Sequence, residues 1–316
     1  MAATTQYRSV LVPLDGSEFA EQALQVAIAI AQAARARVRL VLVHQTATVL
    51  KDRRSTGDLS TKARLATLKA ERGYLRQVAA RVKESTGTKV TGVTLHGPVA
   101  ATLGEHIDLT GADLVVMTTH GRGMLERAWL GSVADALLRS VKVPMLLVRP
   151  REKAPPTAGF KVSRILVPLD GSPLSEQVLP SAVAMARLLG AELSLVQLVE
   201  PVVLPSEFPL GTADFDPNLT TRMVEQARDY VRSLASALRA EGVRVTGTSS
   251  VTPTMVSGLL ELAHDPAVGM VALATHGRGG LQRALLGSVA DKLIRGADRP
   301  VLVYRPRMIR KTRSGK

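Results

Sequence analysis

The chain has 316 residues, of which 46% are hydrophobic and none is cysteine. That is enough for two domains with cores of their own, and it excludes disulfides, thiol catalysis and thiolate zinc sites. A net charge of +14 raises nucleic acid as a partner, but the arginines are scattered, the one dense basic run is 305–316, and aromatic residues are only 3%.

Taken in chain order, residues 9–14, 38–44, 89–96, 113–118 and 143–148 are short apolar runs, as strands buried on both faces require. Between them lie amphipathic stretches. Ala20, Ala23, Leu24, Ala27, Ile28 and Ala31 recur at helical spacing after Ser17, and 59–84 is a long helical stretch. The pattern then starts again. VLVPLDGS from Val10 returns as ILVPLDGS from Ile165, an offset of 155 positions; THGRG from Thr119 returns from Thr275, and GSVAD from Gly131 returns from Gly287, both at 156. A period this long means a duplicated domain, not a solenoid. Ser172 before Pro173 sets a capping hydroxyl ahead of a proline at the first helical position, so the second copy's first helix starts there. Each copy is expected to be βαβαβαβαβ, a doubly wound, five-stranded parallel α/β sheet. The boundaries are a first domain at 1–150, a linker at 151–160 around Pro155-Pro156, a second domain at 161–306 and a basic tail at 307–316. No window approaches the roughly 18 apolar residues of a membrane span, and residues 1–7 lack a leader pattern, so a cytoplasmic, membrane-free protein is expected. The six histidines show no metal-ligand spacing.

In an open parallel sheet, ligands bind beyond the carboxyl ends of the strands, where strand order reverses. Pro13, Leu14 and Asp15 sit at that end of the first strand, and Pro168, Leu169 and Asp170 in the second copy. The aspartates can accept from a ribose hydroxyl while Gly16 or Gly171 makes the turn; equally, Asp-Gly-Ser serves to cap the next helix. After the fourth strand, near Thr118, comes a loop opened by Gly121 and closed by Gly131-Ser132, where a helix begins. Gly277 and Gly287-Ser288 repeat it. Glycines admit a polyphosphate to the backbone, and the first amides of a helix favour an anion. Ser132 and Ser288 either add a hydroxyl to a phosphate or act as plain N-caps. Arg122 and Arg278 either pair with phosphate or are solvated, and His120 and His276 are read as turn-packing residues. Recurrence of aspartate, glycine loop and serine in both copies decides for a nucleotide site. There is no GxxxxGKS/T loop, GxGxxG fingerprint or GxSxG elbow, so P-loop hydrolysis, dinucleotide redox chemistry and serine hydrolysis lack their parts.

These residues resemble the universal stress protein family over nearly the whole chain, twice. The ATP-binding branch of that family carries a first-strand aspartate, then a glycine, two residues, a second glycine, nine residues, and a third glycine followed by serine or threonine. Gly121 and Gly131-Ser132 match with the nine-residue spacer, as do Gly277 and Gly287-Ser288, while Thr118 and Ala274 stand where the first glycine would be. The resemblance implies a pair of domains of the adenine nucleotide alpha hydrolase-like fold binding ATP, with or without Mg2+. It places adenine contacts after the second strand, at Gln45 and Leu198, and beside the loop, at Met117 and Leu273, with Val133 and Val289 following the serines at the phosphate end. It further implies a stress-response regulator with at most slow hydrolysis. The domains would pair through the last strands, 143–148 and 301–304, as an internal pseudo-dimer, with a homodimer of chains open. A scaffold without nucleotide and a nucleic-acid binder using the basic tail are the alternatives. The third strand ends in His96-Gly97-Pro98 in the first copy but Val251-Thr252-Pro253 in the second, which favours the first as the occupied site.

Overall fold

The computed structural model of the chain describes residues 7–45, 57–119, 130–150, 160–204, 214–215, 217–276 and 286–306. The chain divides between Phe160 and Lys161 into two compact units. The linker 151–159 and the tail 307–316 lie outside the described residues.

The first unit runs β1 (Ser9–Leu14), α1 (Glu18–Ala34), β2 (Arg37–His44), α2 (Gly57–Thr86), β3 (Val90–His96), α3 (Val99–Thr110), β4 (Leu114–Thr118), α4 (Ser132–Ser140) and β5 (Met145–Val148). All neighbours are parallel, in the order β5-β4-β1-β2-β3. The strand order therefore reverses between β1 and β4. Right-handed crossovers then carry α1 and α2 over one face and α3 and α4 over the other. Arg81 on α2 pairs with Glu21 on α1, and Gly104 on α3 lies beside Ser140 on α4. β4 and β5 are buried along their whole length, as their unbroken apolar runs require. Leu11, Leu114, Leu146 and Leu147 are fully buried, each contributing about 1.5–3 kcal/mol by leaving water.

Helix α1 starts at Ser17, whose hydroxyl accepts from the Ala20 amide at 3.1 Å. Its buried stripe is Ala20, Ala23, Leu24, Val26, Ala27, Ile30 and Ala31. Ile28, expected on that stripe, is only half-buried, because at 3.6 residues per turn it falls to the side opposite Val26 and Ile30.

The second unit runs β6 (Arg164–Pro168), α5 (Pro173–Glu176), α6 (Leu179–Leu189), β7 (Glu192–Val199), β8 (Val203–Leu204), β9 (Asp214–Phe215), α7 (Pro217–Ala240), β10 (Val245–Val251), α8 (Met255–His264), β11 (Val268–Ala274), α9 (Ser288–Gly296) and β12 (Val301–Tyr304). Its parallel sheet has the same order, β12-β11-β6-β7-β10. Two features depart from the expected βαβαβαβαβ. The first helix starts where expected, at Pro173 after Ser172, but breaks after Glu176, because Pro180 has no amide hydrogen to bond the Glu176 carbonyl and its ring clashes there. A short antiparallel ladder, Val203 opposite Phe215 and Leu204 opposite Asp214, is added between β7 and α7. Among the described residues, no helix is long and apolar enough to cross a membrane.

Candidate functional site

At the carboxyl edge of the first sheet, a cavity of about 510 Å3 opens where the strand order reverses. Its wall brings together Pro13, Leu14 and Asp15 after β1, Gln45 after β2, Met117 and Thr118 at the end of β4, and Gly131, Ser132 and Val133 at the start of α4. These residues are up to 120 positions apart in sequence, and the parallel topology alone delivers them to one edge. Gly121 and Arg122, and their counterparts Gly277 and Arg278, lie outside the described residues, as does His120.

Each end of the site has a local cause. Asp15 Oδ1 accepts from the Ser17 amide at 2.9 Å and the Ser17 hydroxyl at 2.6 Å, and Gly16 bends the chain at φ +82°, a conformation that suits glycine alone. The aspartate thus braces the turn that caps α1, and Asp15 also lines the cavity. Helix α4 is capped by Gly131, which makes no side-chain cap bond. Ser132 is thus the first helical residue and not the N-cap considered from the sequence. The Asp135 amide bonds the Gly131 carbonyl at 3.0 Å. The amides of Ser132, Val133 and Ala134 precede that first intrahelical bond, and all three residues line the cavity. An anion there gains from both the amides and the helix dipole.

The wall also contains residues that motif reasoning missed. His44, at the end of β2 and 7% exposed, faces Glu71 on α2, with Nδ1 at 3.0 and 3.1 Å from the two carboxylate oxygens. His96, opposite it on β3, meets its ring edge to face at 5.6 Å. Val99 and Leu103 of α3 complete the apolar side. Setting the two copies side by side would have exposed these positions, because the second copy has Val199, Ala227 and Val251 in their places. The first and last of these follow from the strand registers. Ala227 follows from the shared tyrosine three residues on: Tyr230 donates to Glu176 at 2.9 Å, and Tyr74 stands beside Glu21. Burial, reinforced by Glu21, pushes the Tyr74 hydroxyl above the usual tyrosine range.

The second domain repeats the frame with different side chains beside it. Asp170 Oδ1 accepts from the Ser172 amide at 2.9 Å, Gly171 turns at φ +78°, and Gly287 caps α9 without a side-chain bond, leaving Ser288 and Val289 in its first turn. Leu169 is buried, and Leu273 and Ala274 close β11 as Met117 and Thr118 close β4. Pairing of Pro168 with Val196, as of Pro13 with Val41, makes Leu198 the counterpart of Val43, not of Gln45. The residue that matches Gln45 is Glu200, so the assignment of Leu198 to the backbone after the strand is corrected by two positions. Glu200 Oε1 accepts from the Met255 amide, and the Thr254 hydroxyl caps the Ser257 amide, so the start of α8 is satisfied internally. Helix α3 instead begins at Pro98, which makes no side-chain cap bond.

Side-chain volume is also exchanged between the copies. Gly97 turns at φ +138° against Thr102, whose hydroxyl would lie 2.6 Å from a Cβ added there. The second copy puts Thr252 on the loop and Gly258 on the helix; a Cβ at 258 would lie 2.4 Å from the Thr252 hydroxyl and 2.8 Å from Leu198 Cδ1. Thr252 and Leu198 therefore occupy space beside the end of β7. A cavity of about 370 Å3 in this domain, lined by Pro217, Thr220, Thr221, Val224, Glu225, Arg228 and Val251, contains none of the expected site residues.

The profile of the Universal stress protein family matches residues 6–149 and again 161–305. A universal stress protein of Mycobacterium tuberculosis is 30% identical over 198 residues, 61% of this chain and 62% of its own length. A second from the same organism is 30% identical over 226 residues, 69% of this chain and 66% of its own. The matched stretch thus spans less than two thirds of these relatives. The crystal structure of a universal stress protein from Archaeoglobus fulgidus superposes with a TM-score of 0.68 at 19% identity, over 96% of this chain and 97% of that one, which shows the fold.

Proposed function

Since the chain belongs to the universal stress protein family, we propose that it is an adenine-nucleotide-binding regulatory protein of the stress response whose first domain holds the ligand. One observation carries the reading: a single cavity joins Asp15, the half-apolar wall at Met117 and Val41, and the first turn of α4, which no side chain caps. Anchored by its phosphates on the Ser132, Val133 and Ala134 amides, a nucleotide such as ATP places its ribose by Asp15 and its base toward β2. Any Mg2+ would be carried by the nucleotide's own phosphates, which are hard oxygen ligands. Occupancy biases the form of the chain that partners meet.

The test is extraction of the denatured, purified protein for carried nucleotide, with thermal shift and titration by ATP. Binding of one ATP per chain is expected, with Asp15→Ala weakening it about 10- to 100-fold, the usual loss for a hydrogen bond to a charged group. Asp170→Ala loses the same kind of turn brace and is expected to leave affinity unchanged. A protein that carries nothing and ignores millimolar ATP would replace this reading with that of a partner-binding scaffold.

A further inference from the structure

The cluster of His44, Glu71 and His96 is not a demand of the fold, because the second domain builds the same strand ends and helix with Val199, Ala227 and Val251. Val199 and Ala227 are buried there as ordinary core, and Val251 is 48% exposed. What distinguishes the first domain is that His44 and Glu71 line the cavity. They stand on the β2 side, across β1 from the α4 amides, where strand order directs the base of a ligand held by its phosphates.

Resting on the nucleotide reading above, we infer that the His44–Glu71 pair selects the base, preferring a purine that offers a hydrogen-bond donor at its 6-position over one that offers an acceptor. A carboxylate can only accept, so Glu71, 3.0 Å from Nδ1, fixes the imidazole hydrogen on that nitrogen. In the neutral ring this leaves the Nε2 lone pair as an acceptor. The contact with His96 at 5.6 Å holds the ring plane. A 6-amino group donates to Nε2; a 6-oxo group sets acceptor against acceptor and leaves both unpaired.

Isothermal titration of the full chain with ATP, ITP and inorganic tripolyphosphate tests this, because ITP replaces the 6-amino group by oxygen. The wild type is expected to favour ATP over ITP by about tenfold or more. Glu71→Gln keeps the packing but supplies an amide donor, which lets the hydrogen move to Nε2. It is expected to erase or invert the ATP preference while tripolyphosphate binding and the ligand-free melting temperature stay unchanged. His44→Val combined with Glu71→Ala, the residues of the second domain, is expected to reduce the ATP-to-ITP ratio to about one. A merely structural role would shift the melt and not the ratio. If ATP and ITP bind equally to the wild type, or if Glu71→Gln keeps the preference, the inference is overturned and nucleotide binding stands. If no nucleotide binds at all, the nucleotide reading itself fails and takes this inference with it.

Discussion

The two domains share a strand order, an Asp-Gly-Ser turn and a glycine-capped helix after the fourth strand, yet they part company at the end of the second and third strands. There the first domain has His44 and Glu71 in the cavity wall with His96 and Gly97 against His44, and the second has Val199, Ala227, Val251 and Thr252, with amides at the start of α8 bonded by Glu200 and Thr254. The shared features make a common frame, and the differing ones set what side chains surround it in each copy. A duplicated chain is its own control: a residue can be tested against its counterpart in the same molecule, under the same conditions.

The largest contrast is expected at the helix caps. Gly131→Leu sets a bulky side chain where phosphate would approach the α4 amides, and is expected to weaken ATP binding at least about 100-fold, as for an oxyanion site stripped of its donors. Gly287→Leu, at the same place in the second domain, is expected to leave affinity unchanged in titration. Equal losses from both would show that the second domain also binds and would break the comparison.

Packing supplies the next contrast, and it runs the other way. A Cβ at Gly247 on β10 would lie 2.6 Å from the Val231 carbonyl oxygen, a backbone atom of α7, whereas a Cβ at Gly92 on β3 would meet Leu75 Cβ at 3.3 Å. Gly247→Ala is expected to cost about 1–3 kcal/mol, the usual cost of overpacking, and Gly92→Ala less than about 1 kcal/mol. Denaturant unfolding of the two variants checks this. The second domain's helix sits closer to its sheet and has less room to adjust.

Much of the fold was legible because its signals are local. Apolar runs located β1 to the residue, β2 and β4 within one residue and β5 within two, and the repeat located the second domain at once. The break before α6 was not read because Pro180 lies inside an apolar stretch whose periodicity masks it. The α4 end of the candidate site was legible because glycine and serine spacing is local too. Its other wall was not, since His44 and Glu71 are 27 positions apart on different elements, and only the pairing of β2 with α2 joins them. Leu198 was misplaced for a related reason: the copies differ by single-residue shifts between elements, and only strand register fixes which residues correspond.

The smallest contrast concerns the helix that follows the third strand. Thr254 is one residue more than the first copy has there, and it gives α8 a side-chain cap bond that α3, capped by Pro98, lacks. Thr254→Ala is expected to cost about 1 kcal/mol in denaturant unfolding, since an orphan amide at Ser257 loses its acceptor. Glu200→Ala exposes a second amide, that of Met255, and is expected to cost a similar amount or less, the carboxylate being near the surface. Neither change should alter ATP affinity, because the amides at the start of α8 are served by the protein itself. If Glu200→Ala creates a second equivalent of bound ATP, the second domain is a site held shut by its own carboxylate, and the difference between the copies is one of occupancy and not of architecture.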